Sequence, residues 1–302
     1  MSILSDSNGG PMPKASPLIV VVGPTASGKS ALAMRIAQAH NGEIIASDSR
    51  TIYRGMDIGT AKPTAEDQRL VPHHLIDVRN PDEPFSAAEF KLLAQRAIDD
   101  IVSRGKLPIM VGGTGLYVDA VIFDYQFGAA ADEAKRAELN AMTIEELQQL
   151  CREKNIAMPI NSQNKRHLVR AIELGGLVSH KKKLRDSTFV VGISTERDIL
   201  RERVRARAKE MVSEGVIDEV EAIGHKYEWR GEALKGNIYR IFRGVVEGTK
   251  PVDDAIEEFV QSDMALAKRQ MTWFKRNASI HWSSNPEELE VLVDTFLNRS
   301  FR

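Results

Sequence analysis

The sequence has 302 residues, 42% of them hydrophobic, which supports one large folded domain or a domain with a sizeable insertion. Its formal net charge is −1, so attraction of nucleic acid by the field of the whole protein is excluded, and any such affinity must come from local basic patches. The single cysteine, Cys151, excludes an internal disulfide, and its helical surroundings favour a core thiol over a nucleophile.

The first segment, residues 1–17, is small, polar and proline-containing, and it lacks the apolar stretch of a secretory signal. No apolar run in the chain reaches the roughly 18 residues that a membrane span requires. We therefore expect a flexible N-terminus and a soluble cytoplasmic protein without a membrane partner. Since no exposed apolar repeat is evident, we expect a monomer.

A complete phosphate-binding loop, G-x-x-x-x-G-K-[ST], follows the first predicted strand, residues 18–22. In this arrangement backbone N–H groups point into the loop and the next helix presents its N-terminus to anionic oxygens, so the pattern predicts a polyphosphate ligand and not merely a tight turn. The lysine would reach a terminal phosphate and the last serine a bound Mg²⁺. The loop residues are Gly23, Pro24, Thr25, Ala26, Ser27, Gly28, Lys29 and Ser30.

Further strands and helices alternate after the loop. Residues 43–48 form a predicted strand ending at Asp48, a helix begins at Ser86 with capping-box spacing to Glu89, and residues 107–113 form another strand. This alternation predicts a P-loop NTPase-like α/β fold, a parallel sheet flanked by helices. Since functional loops follow the carboxyl ends of parallel strands, Asp48 and the glycine turn at 112–115 should face the phosphate loop.

The pattern changes at residues 125–185, where strand signals stop and Thr143 with Glu146 has capping-box spacing. A β run at 188–194 then restores the sheet pattern, an arginine-rich helix follows at 197–211, and further helices are predicted to the C-terminus. We therefore expect a discontinuous core domain, residues 18–124 and 186–302, carrying a helical insertion domain, residues 125–185.

Asp48 is the first candidate for chemistry. An aspartate at a strand end beside a phosphate loop can hold Mg²⁺ through water or accept a proton from an attacking group. It can also simply cap the turn at 48–51. Position alone leaves base and metal partner open. The adjacent His73 and His74 point to opposite sides of an extended segment, so they favour ordering of a loop over metal ligation.

Several segments in the same order resemble motifs of the tRNA dimethylallyltransferases. They are residues 48–63, 72–77, 85–90, 111–117 and 267–274, within a resemblance that runs from about 18 to 277. The resemblance implies transfer of a dimethylallyl group from dimethylallyl diphosphate to N6 of the adenosine 3′ of the anticodon. It also implies Mg²⁺ as cofactor and a tRNA anticodon stem-loop as partner.

The resemblance further implies roles for individual residues. Thr25 and Lys29 would grip the leaving diphosphate with the rest of the loop, Mg²⁺ would bind Ser30, Asp48 would accept the N6 proton, and Arg207 would reach toward the diphosphate. The implied tRNA contacts are Asp48, Ser49, Arg50, Thr51, Thr114, Arg136, Arg166, His167, Arg170, Lys268, Arg269, Gln270, Thr272, Trp273 and Lys275.

Three basic stretches could bind RNA: residues 162–185, the helix at 197–211 and residues 268–276. A solvated face is the ordinary alternative for such runs. In the last stretch Trp273 and Phe274 could stack on bases or be buried in the core. Departures from the family pattern occur at His167, where an arginine is usual, at 235–240 in place of a glycine-tyrosine motif, and at Leu266; Arg166 could replace the arginine lost at 167.

Three alternatives remain. An adenylate isopentenyltransferase would share the loop and aspartate but prenylate a free nucleotide, and the insertion and the 268–273 block argue against it. A small-molecule kinase would use the loop to bind ATP and close an arginine lid on the γ-phosphate. A non-catalytic RNA-binding module would have no use for the loop or Asp48.

Overall fold

The computed structural model describes residues 16–128, 132–176 and 183–300, so the predicted flexible N-terminus lies almost wholly outside the described residues. The chain divides into two compact units. The first contains the chain up to Ile122 and from Leu184 onward, and the second runs from Phe123 to Lys183. Among the described residues, no helix combines the length and apolar character needed to cross a membrane.

The first unit is built on a six-stranded sheet in which every paired strand is parallel. The strand order is β3-β2-β4-β1-β5-β6. Central strands carry continuous buried apolar runs, as expected where helices cover both faces of a parallel sheet. The strands are β1 Leu18–Val22, β2 Gly42–Ala46, β3 His73–His74, β4 Leu107–Gly112, β5 Thr188–Ile193 and β6 Ile280–Ser283.

The predicted P-loop NTPase-like parallel sheet is confirmed, and two edge strands add to it. β3 has only two residues, and β6 lies where the sequence pattern predicted helices to the C-terminus, so that prediction was wrong at Ile280–Ser283. Only Ile280 in β6 is buried, because β6 pairs with β5 alone at the sheet edge. A half-covered edge strand lacks the apolar run that marks a central one.

Twelve α-helices lie in the described ranges. The predicted caps of two of them form: Ser86 accepts a hydrogen bond from the N–H of Glu89, and Thr143 and Glu146 make both bonds of a capping box. The helices are α1 Lys29–Ala39, α2 Ala65–Leu70, α3 Ala87–Ser103, α4 Gly115–Ile122, α5 Glu133–Ala141, α6 Ile144–Glu153, α7 Lys165–Glu173, α8 Arg197–Ser213, α9 Val216–Lys226, α10 Asn237–Val246, α11 Val252–Phe274 and α12 Pro286–Ser300.

Each unit has its own core. In the first unit α1 and α12 pack on the sheet, and a separate cluster centred on Tyr239, Phe242 and Phe259 joins α8, α9, α10 and α11 to the segment after β2. The second unit packs α5, α6 and α7 around an apolar cluster that includes Cys151. The cysteine is fully buried, so the prediction of a core thiol is confirmed.

A buried carboxylate lies at the amino-terminal end of β2. Glu43 in β2 is 1% exposed. It accepts hydrogen bonds from Arg104 (2.5 and 2.7 Å) and Lys106 (2.7 Å), and it lies 2.7 Å from His74 Nε2. The Arg104 hydrogen bonds, followed by those of Lys106 and His74, hold the pKa of the Glu43 carboxyl well below its usual range although burial opposes them.

We predict that Glu43→Gln lowers the free energy of unfolding at pH 7 by about 2 kcal/mol, because partners of a buried carboxylate lose their charged acceptor. A carboxyl whose pKa is lower in the folded than in the unfolded state stabilises the fold at pH values above the unfolded-state pKa. This contribution is lost as the pH falls through the acid range. The wild type should therefore lose more stability between about pH 5 and 3 than the variant does. Urea unfolding at several pH values measures both effects.

Glu290→Gln is the matched control, because Glu290 pairs with Arg35 on the surface, where an ion pair contributes at most about 1 kcal/mol. Equal effects of the two substitutions at pH 7 would show that the Glu43 cluster has no special weight.

Candidate active site

A cavity of about 710 Å³ opens at the carboxyl ends of β1, β2 and β4. The phosphate loop, the segment after β2 and the turn after β4 line it together with parts of α8, α10 and α11. The prediction that Asp48 and the glycine turn face the phosphate loop is confirmed. Of the predicted site residues, the cavity lining includes Thr25, Ala26, Gly28, Lys29, Ser30, Asp48, Ser49, Arg50, Thr51, Thr114, Arg207, Arg269 and Gln270.

The phosphate loop bends sharply into α1. Gly28 caps the helix with φ of 93°, a left-handed conformation that glycine adopts without a steric penalty. Lys29 Nζ lies 3.3 Å from the carbonyl oxygen of Pro24. Burial lowers the pKa of the Lys29 ammonium, and the nearby Asp48 charge partly opposes this. The Oγ of Ser27 is buried and has no hydrogen-bond partner among the described residues.

Asp48 both caps a turn and lines the cavity. Its Oδ1 accepts a hydrogen bond of 2.8 Å from the N–H of Arg50. Thr114 Oγ1 accepts one of 3.1 Å from the N–H of Ser49, which joins this turn to the turn after β4. A Cβ on Gly112 would lie 1.9 Å from the carbonyl oxygen of Ser47, so only glycine allows the two strand ends to approach this closely. The two roles considered for Asp48, cap and chemical group, are therefore compatible.

Another loop, residues 57–62, lies beside the cavity. A carboxylate that the sequence analysis did not predict fixes the start of this loop. Glu219 on α9 accepts hydrogen bonds from three successive backbone N–H groups, those of Asp57, Ile58 and Gly59, at 2.7–2.9 Å. It also accepts one of 2.6 Å from the Tyr239 hydroxyl, whose pKa is raised by burial and by this neighbour. No local pattern connects Glu219 with a loop 160 residues earlier.

Polar side chains of α8 and α11 contact Thr25 of the phosphate loop, and Asn237 at the start of α10 binds one of them. Arg207 Nη2 donates to Thr25 Oγ1 at 2.9 Å and to Asp263 Oδ2 at 2.8 Å. Asn237 Nδ2 donates to Asp263 Oδ1 at 2.8 Å, and Gln270 Oε1 accepts from the N–H of Thr25 at 2.9 Å. Sequence reasoning missed Asp263, although an acidic residue among the buried positions of α11 is a detectable signal.

The arginine-rich helix is more than a solvated face. Arg203 Nη1 donates to the carbonyl oxygen of Ser27 at 3.3 Å, and Arg207 reaches Thr25, so two arginines one turn apart contact the phosphate loop. Arg205 instead pairs with Glu202 and Glu257 at the surface. The helix therefore divides between the site and solvent.

The predicted tRNA contacts at the end of α11 spread around the helix. Lys268, Thr272 and Lys275 are exposed and lie outside the cavity lining. Trp273 is half-buried, and its Nε1 donates to Asp119 Oδ2 at 3.2 Å. Phe274 is 1% exposed and belongs to the core, which resolves the choice between stacking and burial for that residue.

In the second unit two predicted tRNA contacts share one carboxylate. Arg136 donates to Glu173 through Nε at 2.6 Å and Nη2 at 2.7 Å, and Arg170 Nη1 donates to Glu173 Oε2 at 3.1 Å. Arg166 and His167 on the same helix as Arg170 are exposed. Two further lysines of this basic stretch, at 181 and 182, lie outside the described residues.

The paired histidines belong to β3. His73 Nδ1 lies 2.8 Å from the carbonyl oxygen of Val71, and His74 contacts Glu43. Burial lowers the pKa of His73. In the parts of the chain that the structure describes, no group of three or more His, Cys, Asp or Glu side chains is arranged to hold a metal ion.

A family model, curated relatives and solved structures all indicate the same family for this chain. The family model described as IPP transferase matches residues 51–277. Curated tRNA dimethylallyltransferases from Macrococcus caseolyticus and Geobacillus thermodenitrificans are 39% and 37% identical, each over 92% of this chain and 94% of the relative. The crystal structure of the full-length tRNA isopentenylpyrophosphate transferase from Bacillus halodurans is 36% identical with a TM-score of 0.73, covering 94% of this chain and 98% of that one. The chain therefore belongs to the IPP transferase family of prenyl-transferring enzymes.

Proposed function

We propose that this enzyme transfers a dimethylallyl group from dimethylallyl diphosphate to N6 of the adenosine 3′-adjacent to the anticodon in tRNA, forming N6-isopentenyladenosine and diphosphate. The observation that carries the proposal is that one cavity is lined both by the phosphate loop and by Asp48. A group that holds diphosphate and a group that accepts a proton are the two parts that this alkyl transfer requires.

The phosphate loop takes the leaving group. Loop N–H groups, the Lys29 ammonium and the Arg207 guanidinium stabilise the negative charge that builds on the departing oxygen. The cavity lining also contains apolar side chains, among them Met34, Val111 and Phe259, which suit a five-carbon prenyl chain. The same cavity thus accommodates both ends of dimethylallyl diphosphate.

Mg²⁺ fits the oxygen donors at this site. Ser30 in the first turn of α1 and the Asp48 carboxylate line the cavity, and Mg²⁺ at phosphate sites takes one or two protein oxygens besides those of the substrate and water. We propose that Ser30 holds the ion. Bound there, Mg²⁺ neutralises part of the diphosphate charge.

Asp48 accepts the proton. As the adenine N6 attacks the allylic carbon, a C–N bond forms, the C–O bond to diphosphate breaks, and the bonding electron pair leaves with the diphosphate oxygen. The exocyclic amine becomes acidic only as the new bond forms, so a carboxylate within hydrogen-bonding distance suffices as base. The hydrogen bond from Arg50 N–H fixes the orientation of this carboxylate.

The RNA part of the proposal rests on positive and exposed side chains. An unpaired anticodon loop allows the target adenine to leave the stack at low cost. Thr114, tied to the Asp48 turn, is proposed to lie near that base. The remaining proposed tRNA contacts are Ser49, Arg50, Thr51, Arg136, Arg166, His167, Arg170, Lys268, Arg269, Gln270, Thr272, Trp273 and Lys275.

The function is tested with labelled dimethylallyl diphosphate and Mg²⁺, offered to an anticodon stem-loop bearing adenosine after the anticodon. We expect label in this RNA, none in AMP in a parallel reaction, and no ATP hydrolysis. Label in AMP alone would identify a nucleotide-prenylating enzyme. ATP turnover without prenyl transfer would identify a kinase that uses the same loop.

We predict that Asp48→Asn lowers kcat for prenyl transfer by about 10²-fold or more, the usual contribution of a positioned general base. Affinity for dimethylallyl diphosphate should remain, because the loop that binds it is unchanged. Single-turnover rates measure kcat, and isothermal titration measures the affinity.

The control is Asp82→Asn, because Asp82 is an exposed aspartate outside the cavity lining. Loss of diphosphate affinity in Asp48→Asn would contradict a role as base alone.

We predict that Lys268→Ala weakens stem-loop binding and reduces the slope of log K against log salt by about one, as expected when one phosphate contact is lost. Lys226→Ala removes an exposed lysine of α9 that lies outside the three basic stretches, and it should leave the slope unchanged. Fluorescence titration at four salt concentrations gives both slopes. Identical slopes for wild type and Lys268→Ala would remove Lys268 from the RNA interface.

A further inference from the structure

Asp263 is a charged side chain in a place where α11 is otherwise apolar. Its neighbours on the buried face are Phe259, Val260 and Ala267, and Asp263 itself is 4% exposed. A carboxylate removed from water costs free energy unless charged or polar partners satisfy it. The identity of those partners indicates what the residue does.

Among the described residues Asp263 has three polar contacts, and all of them come from elements that line the cavity. One oxygen accepts a hydrogen bond from Arg207 at 2.8 Å and lies 3.4 Å from Thr25 Oγ1. The other accepts from Asn237 at 2.8 Å. One carboxylate therefore connects the phosphate loop, α8 and the start of α10 to α11.

We propose that Asp263 is a positioning residue for the diphosphate end of the substrate, acting through Arg207. This inference rests on the proposed function and adds to it a residue that touches neither reacting atom. The Arg207 side chain is 27% exposed and has several rotatable bonds, so without an acceptor beside it the guanidinium would sample many positions. The ion pair holds it against Thr25, where a phosphate on the loop would lie.

Arg207 keeps donor capacity for a ligand while Asp263 holds it. Nη2 donates to both Thr25 and Asp263, whereas the Nε–H of Arg207 is buried and has no acceptor among the described residues. A guanidinium has five N–H donors, and phosphate oxygens are preferred acceptors for them. Because the Arg207 side chain lines the cavity, the N–H groups of its guanidinium that do not bind Thr25 or Asp263 match a diphosphate oxygen.

A second residue of α11 supports the same role for this helix. Gln270, two helical turns after Asp263, accepts the N–H of Thr25 at 2.9 Å. The backbone and the side chain of Thr25 are thus both fixed from one face of α11. Preorganisation of this kind raises affinity by reducing the entropy lost when the ligand binds.

The negative charge of Asp263 also repels a diphosphate, so the two effects of the carboxylate have opposite signs. Loss of positioning weakens binding, whereas loss of repulsion tightens it. Because the carboxylate is paired with Arg207 at 2.8 Å, its charge is largely compensated, and the positioning effect dominates.

The test is a double-mutant cycle on ligand binding. Dimethylallyl diphosphate and inorganic diphosphate are titrated, with Mg²⁺, into the full-length wild type, Asp263→Asn, Arg207→Ala and the double variant. We expect Asp263→Asn to raise Kd for both ligands about tenfold in the wild-type background and less than twofold in the Arg207→Ala background, because coupled residues are non-additive. At saturating substrate, kcat should also fall in Asp263→Asn, because Arg207 stabilises the charge that builds on the departing oxygen.

Ser262→Asn, the adjacent position on α11 outside the cavity lining, is the matched control and should bind both ligands like the wild type. Asp263→Ser provides a second, smaller replacement, and thermal unfolding verifies that each variant is folded. An equal loss in both backgrounds, no loss, or tighter binding would overturn the inference, as would a wild type that binds no diphosphate.

Prenyl transfer to the stem-loop by the wild type is measured in parallel. A wild type that binds diphosphate with the expected coupling but transfers no prenyl group would overturn the proposed function and leave the role of Asp263 intact. Transfer with additive binding losses would do the reverse.

Discussion

The contact between Thr25 and Gln270 is the interaction on which the rest of the site depends, because it joins the phosphate loop to α11 across 245 residues of sequence. The phosphate loop passes into α1 through Gly28, which has a left-handed conformation. Its conformation is fixed from outside, by α11 through Gln270 and Asp263 and by α8 through Arg203 and Arg207. The site is therefore a property of the assembled first unit and not of the motif alone.

The sheet order explains how distant segments reach this loop. β1 lies between β4 and β5, and β2 lies on the other side of β4. The loops that follow β1, β2 and β4 therefore lie side by side at one edge of the sheet. The carbonyl oxygen of Ser47, just after β2, lies so close to Gly112 at the end of β4 that no side chain fits between the two strand ends. Hydrogen bonds from the Thr114 N–H to the Ser47 carbonyl oxygen and from the Ser49 N–H to Thr114 Oγ1 then fix the turn that carries Asp48.

Local signals predicted much of this arrangement. The loop at 23–30, the cap at Ser86, the capping box at Thr143 and the central strands each depend on residues a few positions apart, and the structure contains them. β6 was missed because an edge strand is half-covered, and β3 because two residues carry no periodicity. Glu219 was missed because its partners lie far away in the sequence, where no spacing rule applies.

The three successive N–H groups that converge on Glu219 have a consequence for how a ligand lies in the cavity. Converging backbone N–H groups form the kind of concave nest that binds anions in many proteins. Here the chain supplies its own anion, so the segment at 57–59, although Gly59 borders the cavity, is closed to an incoming phosphate. On the proposed function, the anionic end of the elongated substrate therefore lies at the phosphate loop and not at this segment, which fixes the direction in which the substrate binds in the cavity.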